Sequence, residues 1–321
     1  MGRMSGWQKA GLIAGAGCLS IIGVIVVGLI VAVAWARSIV SELGDTTPTR
    51  VERTIEIEPD TALEAGGTAP AAVESGEPMR LTLDLEEGTF IVRSGPPGEG
   101  VEVRGTYAPD LYQLTDTHDP NTRSTTIRFR STAPQWARIL AGIGNGSGNR
   151  PELTVIIPSG EEMDLSLRVS MGESRIDLGG LTLRDLDLDM SMGEHRIDFQ
   201  SPVVEPLRRI RLTASMGNLD VENLGNARPE AIEGSGSMGN LTADLGGAWD
   251  PGSAASVTFA HSMGELTLRV PESVKLDAEI RESNAEARPR PSDTAQTDDP
   301  NAPVIKLRVS SSMGETRVVR Y

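Results

Sequence analysis

The chain has 321 residues, 45 acidic against 30 basic, and a formal net charge of −15, which argues against a nucleic-acid binder that must neutralise phosphates. Aromatic residues make up 3% of it, which argues against a large enzyme with an aromatic core. One Cys and three His exclude a disulfide framework and leave too few ligands for a Cys/His zinc cage.

In chain order, residues 1–9 form a short basic tail carrying Arg3 and Lys9. Ala10 to Ala36 holds no charged residue. As a helix those 27 residues span about 40 Å, enough to cross the roughly 30 Å hydrocarbon core with some tilt. Trp7 and Trp35 stand where indole rings favour the interface. The run is longer than the apolar core of a cleaved signal peptide, although Ala34-Trp35-Ala36 matches a cleavage triplet. It reads as a signal anchor of the bacterial cytoplasmic membrane, N-terminus inside and the acidic C-terminal part extracytoplasmic. Basic residues on the two sides are close to balanced, so the orientation rests on the short basic tail. Cys18 is a small helix residue. Gly11 with Gly15, and Gly28 with Ala32 and Ala36, offer small-residue rows for a helix homodimer.

Residues 37–78 are rich in Thr, Pro, Ala, Glu and Gly and read as a flexible stalk. Within it, only Val51 to Glu58 alternates as a strand does. From residue 79 to 321 the pattern is period two throughout, as in Leu81, Leu83 and Leu85, which predicts an all-β region.

Ser-Met-Gly occurs six times, with Met at 171, 192, 216, 238, 263 and 313, at spacings of 21, 24, 22, 25 and 50. The last spacing is a double one, which predicts a unit without its signature near Ser283-Asn284 and an insertion over 287–303. Positions −6, −4 and −2 from each Met are mostly apolar, and after it apolar positions resume at +5 and +7, with +3 in several units. Alternation puts Met171, Met192, Met216, Met238, Met263 and Met313 inward as a stacked interior column. It makes Gly172, Gly193, Gly217, Gly239, Gly264 and Gly314 corners where one extra residue bends the strand. A unit of 21–25 residues cannot bury its apolar face alone, and stacked units can. The expected fold is a β-solenoid of Ser-Met-Gly repeats, preceded by one transmembrane helix.

PELTVIIPSGEEMDLSLRVSMGESRIDLGGL and the units after it resemble the toast-rack, putative-adhesin type of bacterial envelope β-repeat proteins. That group is related to the extracytoplasmic domains of cell-wall-antibiotic-response and phage-shock membrane proteins. The resemblance covers residues 79–321 and implies an envelope location and a β-repeat fold. It carries no catalytic motif to transfer, and the Met of each repeat departs from the small residue usual there.

No cofactor, metal or catalytic residue is expected. Stacked thioethers could hold Cu(I), but interior Met reads as packing. Asp185, Asp187 and Asp189 share an outward strand face and read as a solvated acidic surface rather than a Ca²⁺ site. His195 and His261 fall on inward positions in different units, and His118 lies in a polar loop. The Gly-rich run 141–149 lacks the Lys and the helix of a phosphate loop. The function expected is a membrane-anchored interaction scaffold in cell-envelope stress sensing or regulation, with a protein partner. The alternative is a surface adhesin or envelope-structural protein that binds a polymer or another cell. A third reading, a glycan-cleaving enzyme, would need two carboxylates facing across a groove, an arrangement that sequence alone does not show.

Overall fold

The computed structural model describes residues 48–56, 78–98, 100–132, 150–282 and 297–321. The tail 1–9, the 10–36 helix, most of the 37–78 stalk, the Gly-rich run 141–149 and the Ser283-Asn284 position lie outside the described residues. Among the residues described, no helix is long and apolar enough to cross a membrane.

The chain forms β1 (Thr49–Glu56), β2 (Met79–Gly95), β3 (Gly100–Tyr107), β4 (Tyr112–Asp119), β5 (Ser124–Ser131), β6 (Glu152–Pro158) and β7 (Glu162–Asp177). It continues with β8 (Thr182–Asp198), β9 (Arg209–Glu222), β10 (Ala231–Asp244), β11 (Ala254–Val270), β12 (Lys275–Glu282), β13 (Val304–Ser311) and β14 (Glu315–Arg320). One sheet joins them in the order β1-β3-β6-β2-β7-β8-β9-β10-β11-β13-β12, with β14 on β11 and β5, which carries β4, on β2. From β2 to β11 every pairing is parallel, and equivalent repeat positions face each other. Among the described residues, β1/β3, β3/β6 and β4/β5 are antiparallel.

Parallel neighbours joined by short turns constrain the path of the chain. A straight strand of 16 residues, the length of β7, is about 53 Å long. Four residues join Asp177 to Thr182, a reach of at most about 18 Å, yet β8 starts beside the start of β7, with Thr182 opposite Glu162. The strand must therefore double back within its own length. Burial marks the place: Leu165, Leu167 and Val169 are inside, and Ser174, Ile176 and Leu178 are inside in the opposite parity. The change of parity falls at Ser170-Met171-Gly172, and each long strand is two arms about such a corner.

The arms enclose a narrow core of Leu, Ile and Val, closed at the return turns by Leu178, Leu181, Phe199, Val203, Leu207, Leu224 and Ala227. Hydrogen bonding between units continues through those turns, as in Leu178 N–H to Asp198 O at 3.0 Å and Leu245 N–H to Arg269 O at 2.8 Å. Asn226 ties three units together: its amide donates to Phe199 O at 2.7 Å and its carbonyl accepts from Ala248 N–H at 2.8 Å.

Neighbouring units are also matched in size. β10 has Gly234 and Gly236 where β9 has Leu212 and Ala214 and β11 has Phe259 and His261. A Cβ on Gly234 would lie 2.1 Å from the Phe259 ring, and one on Gly236 would lie 2.3 Å from His261 Nδ1. Both large side chains of β11 occupy space that β10 leaves.

Both ends of the stack depart from the sequence expectation. At the first end, Gly88 faces Gly172 and Glu87 faces Met171, so Glu86-Glu87-Gly88 is an earlier corner without Ser or Met. The described part of the strand expected at Val51–Glu58, up to Glu56, lies in β1 and pairs with β3. At the last end, β13 inserts between β11 and β12, and β14 pairs with the second arm of β11. The unit carrying Met313 therefore stacks directly on that of Met263, and β12 is the outer half-unit. The terminal Tyr321 is fastened beside β10. Its hydroxyl donates to Asp244 Oδ1 at 2.6 Å, and burial together with that carboxylate pushes its pKa up to about 12.

The corner glycines predict a specific mutational contrast. Gly217→Ala puts a Cβ 2.2 Å from Gly193 O at a φ of +111°. Backbone strain of that kind costs about 1–3 kcal/mol before any clash is relieved. Gly98→Ala meets only a carbonyl at 3.8 Å and should stay within about 0.5 kcal/mol of wild type. Urea unfolding followed by circular dichroism checks the pair, and equal midpoints would refute the corner assignment.

Candidate functional site

The site is the outside of the corner column. Gly172, Gly193, Gly217, Gly239 and Gly264 have φ of 130°, 132°, 111°, 118° and 107°, where a side chain is strained. A Cβ on each would lie between 1.7 and 2.2 Å from the carbonyl oxygen of the preceding corner glycine. Two independent constraints, conformation and contact, therefore require glycine. Gly314 occupies the same column, with its Cβ position 2.6 Å from Gly264 O. It is not among the positive-φ glycines, so it departs from the corner conformation expected of all six.

The methionines correct the sequence reading. They do not point inward. Met171 and Met192 are 37% exposed, Met216 43%, Met238 45%, Met263 40% and Met313 67%. Strict alternation holds along a straight strand, and here the strand ends its alternation at position −2. Ser, Met, Gly and the next residue go round the corner, and inward pointing resumes at +3 with Ser174, His195, Leu219, Leu241, Leu266 and Thr316. The buried methionines are others: Met79, Met163 and Met190.

Register then builds a column. Met171 faces Met192, Met192 faces Met216, and Met238 faces Met263. Met313 joins at the end through its N–H bond to Ser262 O at 2.8 Å. Two residues further on runs a polar row, Glu173, Glu194, Asn218, Asn240, Glu265 and Glu315, in which Asn240 donates to Asn218 at 3.2 Å. The outside of the corner is thus a line of thioethers beside a line of carboxylates and amides.

The other candidates are satisfied locally. Asp189 pairs with Arg168 at 3.1 Å and Asp187 with Arg211 at 3.6 Å. Asp185 pairs with Arg208, whose guanidinium holds the carboxyl below its ordinary pKa. All three partners come from neighbouring units, so this row is an inter-unit ion-pair ladder. Among the described residues, no three His, Cys, Asp or Glu side chains are grouped as a metal site.

His195 Nδ1 lies 2.9 Å from Ser174 Oγ. Both are buried. Burial pushes the pKa of His195 down, and also that of His261. His118 lies in β4, not in a loop, with its Nδ1 3.0 Å from Thr125 Oγ1. An open depression of about 420 Å³ lies between Arg50, Arg104 and Arg175, floored by Ile91 and Thr154. Glu152 stands among these arginines, and Arg104 pairs with Glu52 at 3.3 Å.

No family model matches the chain, and no curated protein matches it. Solved structures do. A putative cell adhesion protein from Clostridium sporogenes is 9% identical, with 85% of this chain and 100% of that one covered at a TM-score of 0.38. A putative adhesin from Bacteroides fragilis is 11% identical, with 85% and 97% covered at 0.39.

Two predictions follow from the geometry of the site. Met216→Ala should change stability by no more than about 1 kcal/mol, whereas Met163→Ala should cost about 2–5 kcal/mol; denaturant midpoints decide. The buried histidines make stability depend on pH. Their folded pKa lies below the unfolded value of about 6.5. The unfolded chain therefore binds more protons as the pH falls through 6.5. The neutral histidines contribute fully above that pH and lose the contribution below it. The wild-type urea midpoint should fall between pH 7.5 and pH 5.5, and less so for His195→Leu, which matches the Leu219 position beside it.

Proposed function

We propose that the chain is a membrane-anchored, extracytoplasmic β-solenoid that serves as an interaction scaffold of the bacterial cell envelope, with the methionine column as its contact surface. The observation that carries this reading is the column itself. Stability does not require large apolar side chains on the outside of a corner, yet six units place one there, and 171, 192 and 216, like 238 and 263, stand in register. Exposed contiguous apolar surface marks interaction sites, and methionine suits them because it is flexible and polarizable. The spaced turns and in-register parallel units support the solenoid part of the reading. The uncharged run Ala10–Ala36 supports the anchor, and the short basic tail with Arg3 and Lys9 supports an N-terminus inside.

Two measurements test this. Protease added outside spheroplasts should cut the stalk ahead of β1, between residues 40 and 47, and release the β-domain; full protection overturns the orientation. Full-length protein cross-linked in cells and purified in detergent should bring down another envelope protein. Met171→Lys/Met192→Lys/Met216→Lys, folded by circular dichroism, should lose it. Equal recovery with this variant refutes the column as the contact surface. Recovery of cell-wall polymer alone favours the adhesin alternative over the scaffold.

A further inference from the structure

We propose that the exposed methionine column binds Cu(I), each ion held between thioethers of adjacent units. Such a site needs neither the anchor nor a protein partner. An apolar strip could be made of Leu or Val, which supply most of the buried core. The outer corner position is Met in all six repeats, and these are six of the eleven methionines in the chain. What distinguishes Met from Leu at an exposed site is its sulfur.

Geometry makes the sulfurs available in pairs. Register partners in a sheet lie about 4.8 Å apart, and Met171/Met192, Met192/Met216 and Met238/Met263 are such partners. The unbranched side chain has three rotatable bonds, so two neighbouring sulfurs can converge on one ion without moving the backbone. The corner glycines beside them carry no side chain that would obstruct this approach.

Chemistry then selects the ion. Neutral thioethers are soft donors that favour Cu(I), whereas carboxylate and carbonyl oxygens suit Mg²⁺ and Ca²⁺. The parallel row of Glu173, Glu194, Glu265 and Glu315 adds negative charge along the column, which favours a cation of either kind. The sulfurs supply the preference for the soft one. No electron transfer is required, since the ion arrives and stays as Cu(I).

The test uses the full chain in detergent carrying Cys18→Ser, because a thiol would bind Cu(I) by itself. Cu(I) bound to bicinchoninate, kept reduced by ascorbate without oxygen, is the probe. Met192 is shared by two of the three register pairs, so those pairs hold two ions at once and predict uptake of about two ions per chain. Replacing all six column methionines with Leu should abolish that uptake and leave the apolar character of the surface in place. Met1 and Met4 remain in both proteins and cancel in the difference. Equal uptake by the Leu variant, or no uptake by the Cys18→Ser chain, overturns the proposal. A second readout needs no column substitution: ¹³C-methyl spectra of the methionines with added Cu(I). The column methyl resonances should shift while those of Met79, Met163 and Met190 stay, and an unchanged column contradicts the assignment.

Discussion

The structure depends on one close approach: the Cα of each corner glycine against the carbonyl oxygen of the glycine before it. A Cβ there would lie about 2 Å from that oxygen in five successive contacts, well inside any van der Waals distance. Because the approach repeats with φ near 110–130°, every unit bends at the same point. Return turns of a few residues can then bring each strand alongside the last in parallel register. The arms meet over a core one side chain deep, and side chains of modest size fill it. All four phenylalanines are buried, and Phe259 fits because Gly234 yields its space.

The same corner decides what faces outward. Four residues are spent in turning, and whatever occupies the second of them lies on the convex side. That residue is Met in six units, and the outcome is a column of exposed methionines. Ion pairs such as Arg168–Asp189 and Arg211–Asp187 tie units together on the flat outer faces, where exposed pairs contribute little individually. The larger stabilisation comes from the buried Leu, Ile and Val ladders.

Much of this was readable in the sequence, for physical reasons. Period-two patterning and a repeated glycine at fixed spacing specify strands and a recurring bend, and both are present. The facing of the methionines was not readable. Alternation is a rule of straight strands, and a count of residues does not reveal where a bend begins. The earliest corner was missed because Glu86-Glu87-Gly88 keeps only the glycine. The placement of β13 between β11 and β12 was missed because a spacing of 50 records how much chain intervenes, not which strand it pairs with. Gly234 and Gly236 could have raised the question: two glycines on inward positions require large neighbours, and Phe259 and His261 stand at the equivalent positions of the next unit.

The central claim is that the repeated Ser-Met-Gly turns its methionine outward. Mild hydrogen peroxide oxidation of the native protein, read methionine by methionine by mass spectrometry, tests it most directly, because sulfoxide formation follows exposure. Met171, Met192, Met216, Met238, Met263 and Met313 should oxidise together and early, while Met79, Met163 and Met190 lag until the chain unfolds. Protection of the six repeat methionines to the same degree as those three would return them to the interior and contradict the account.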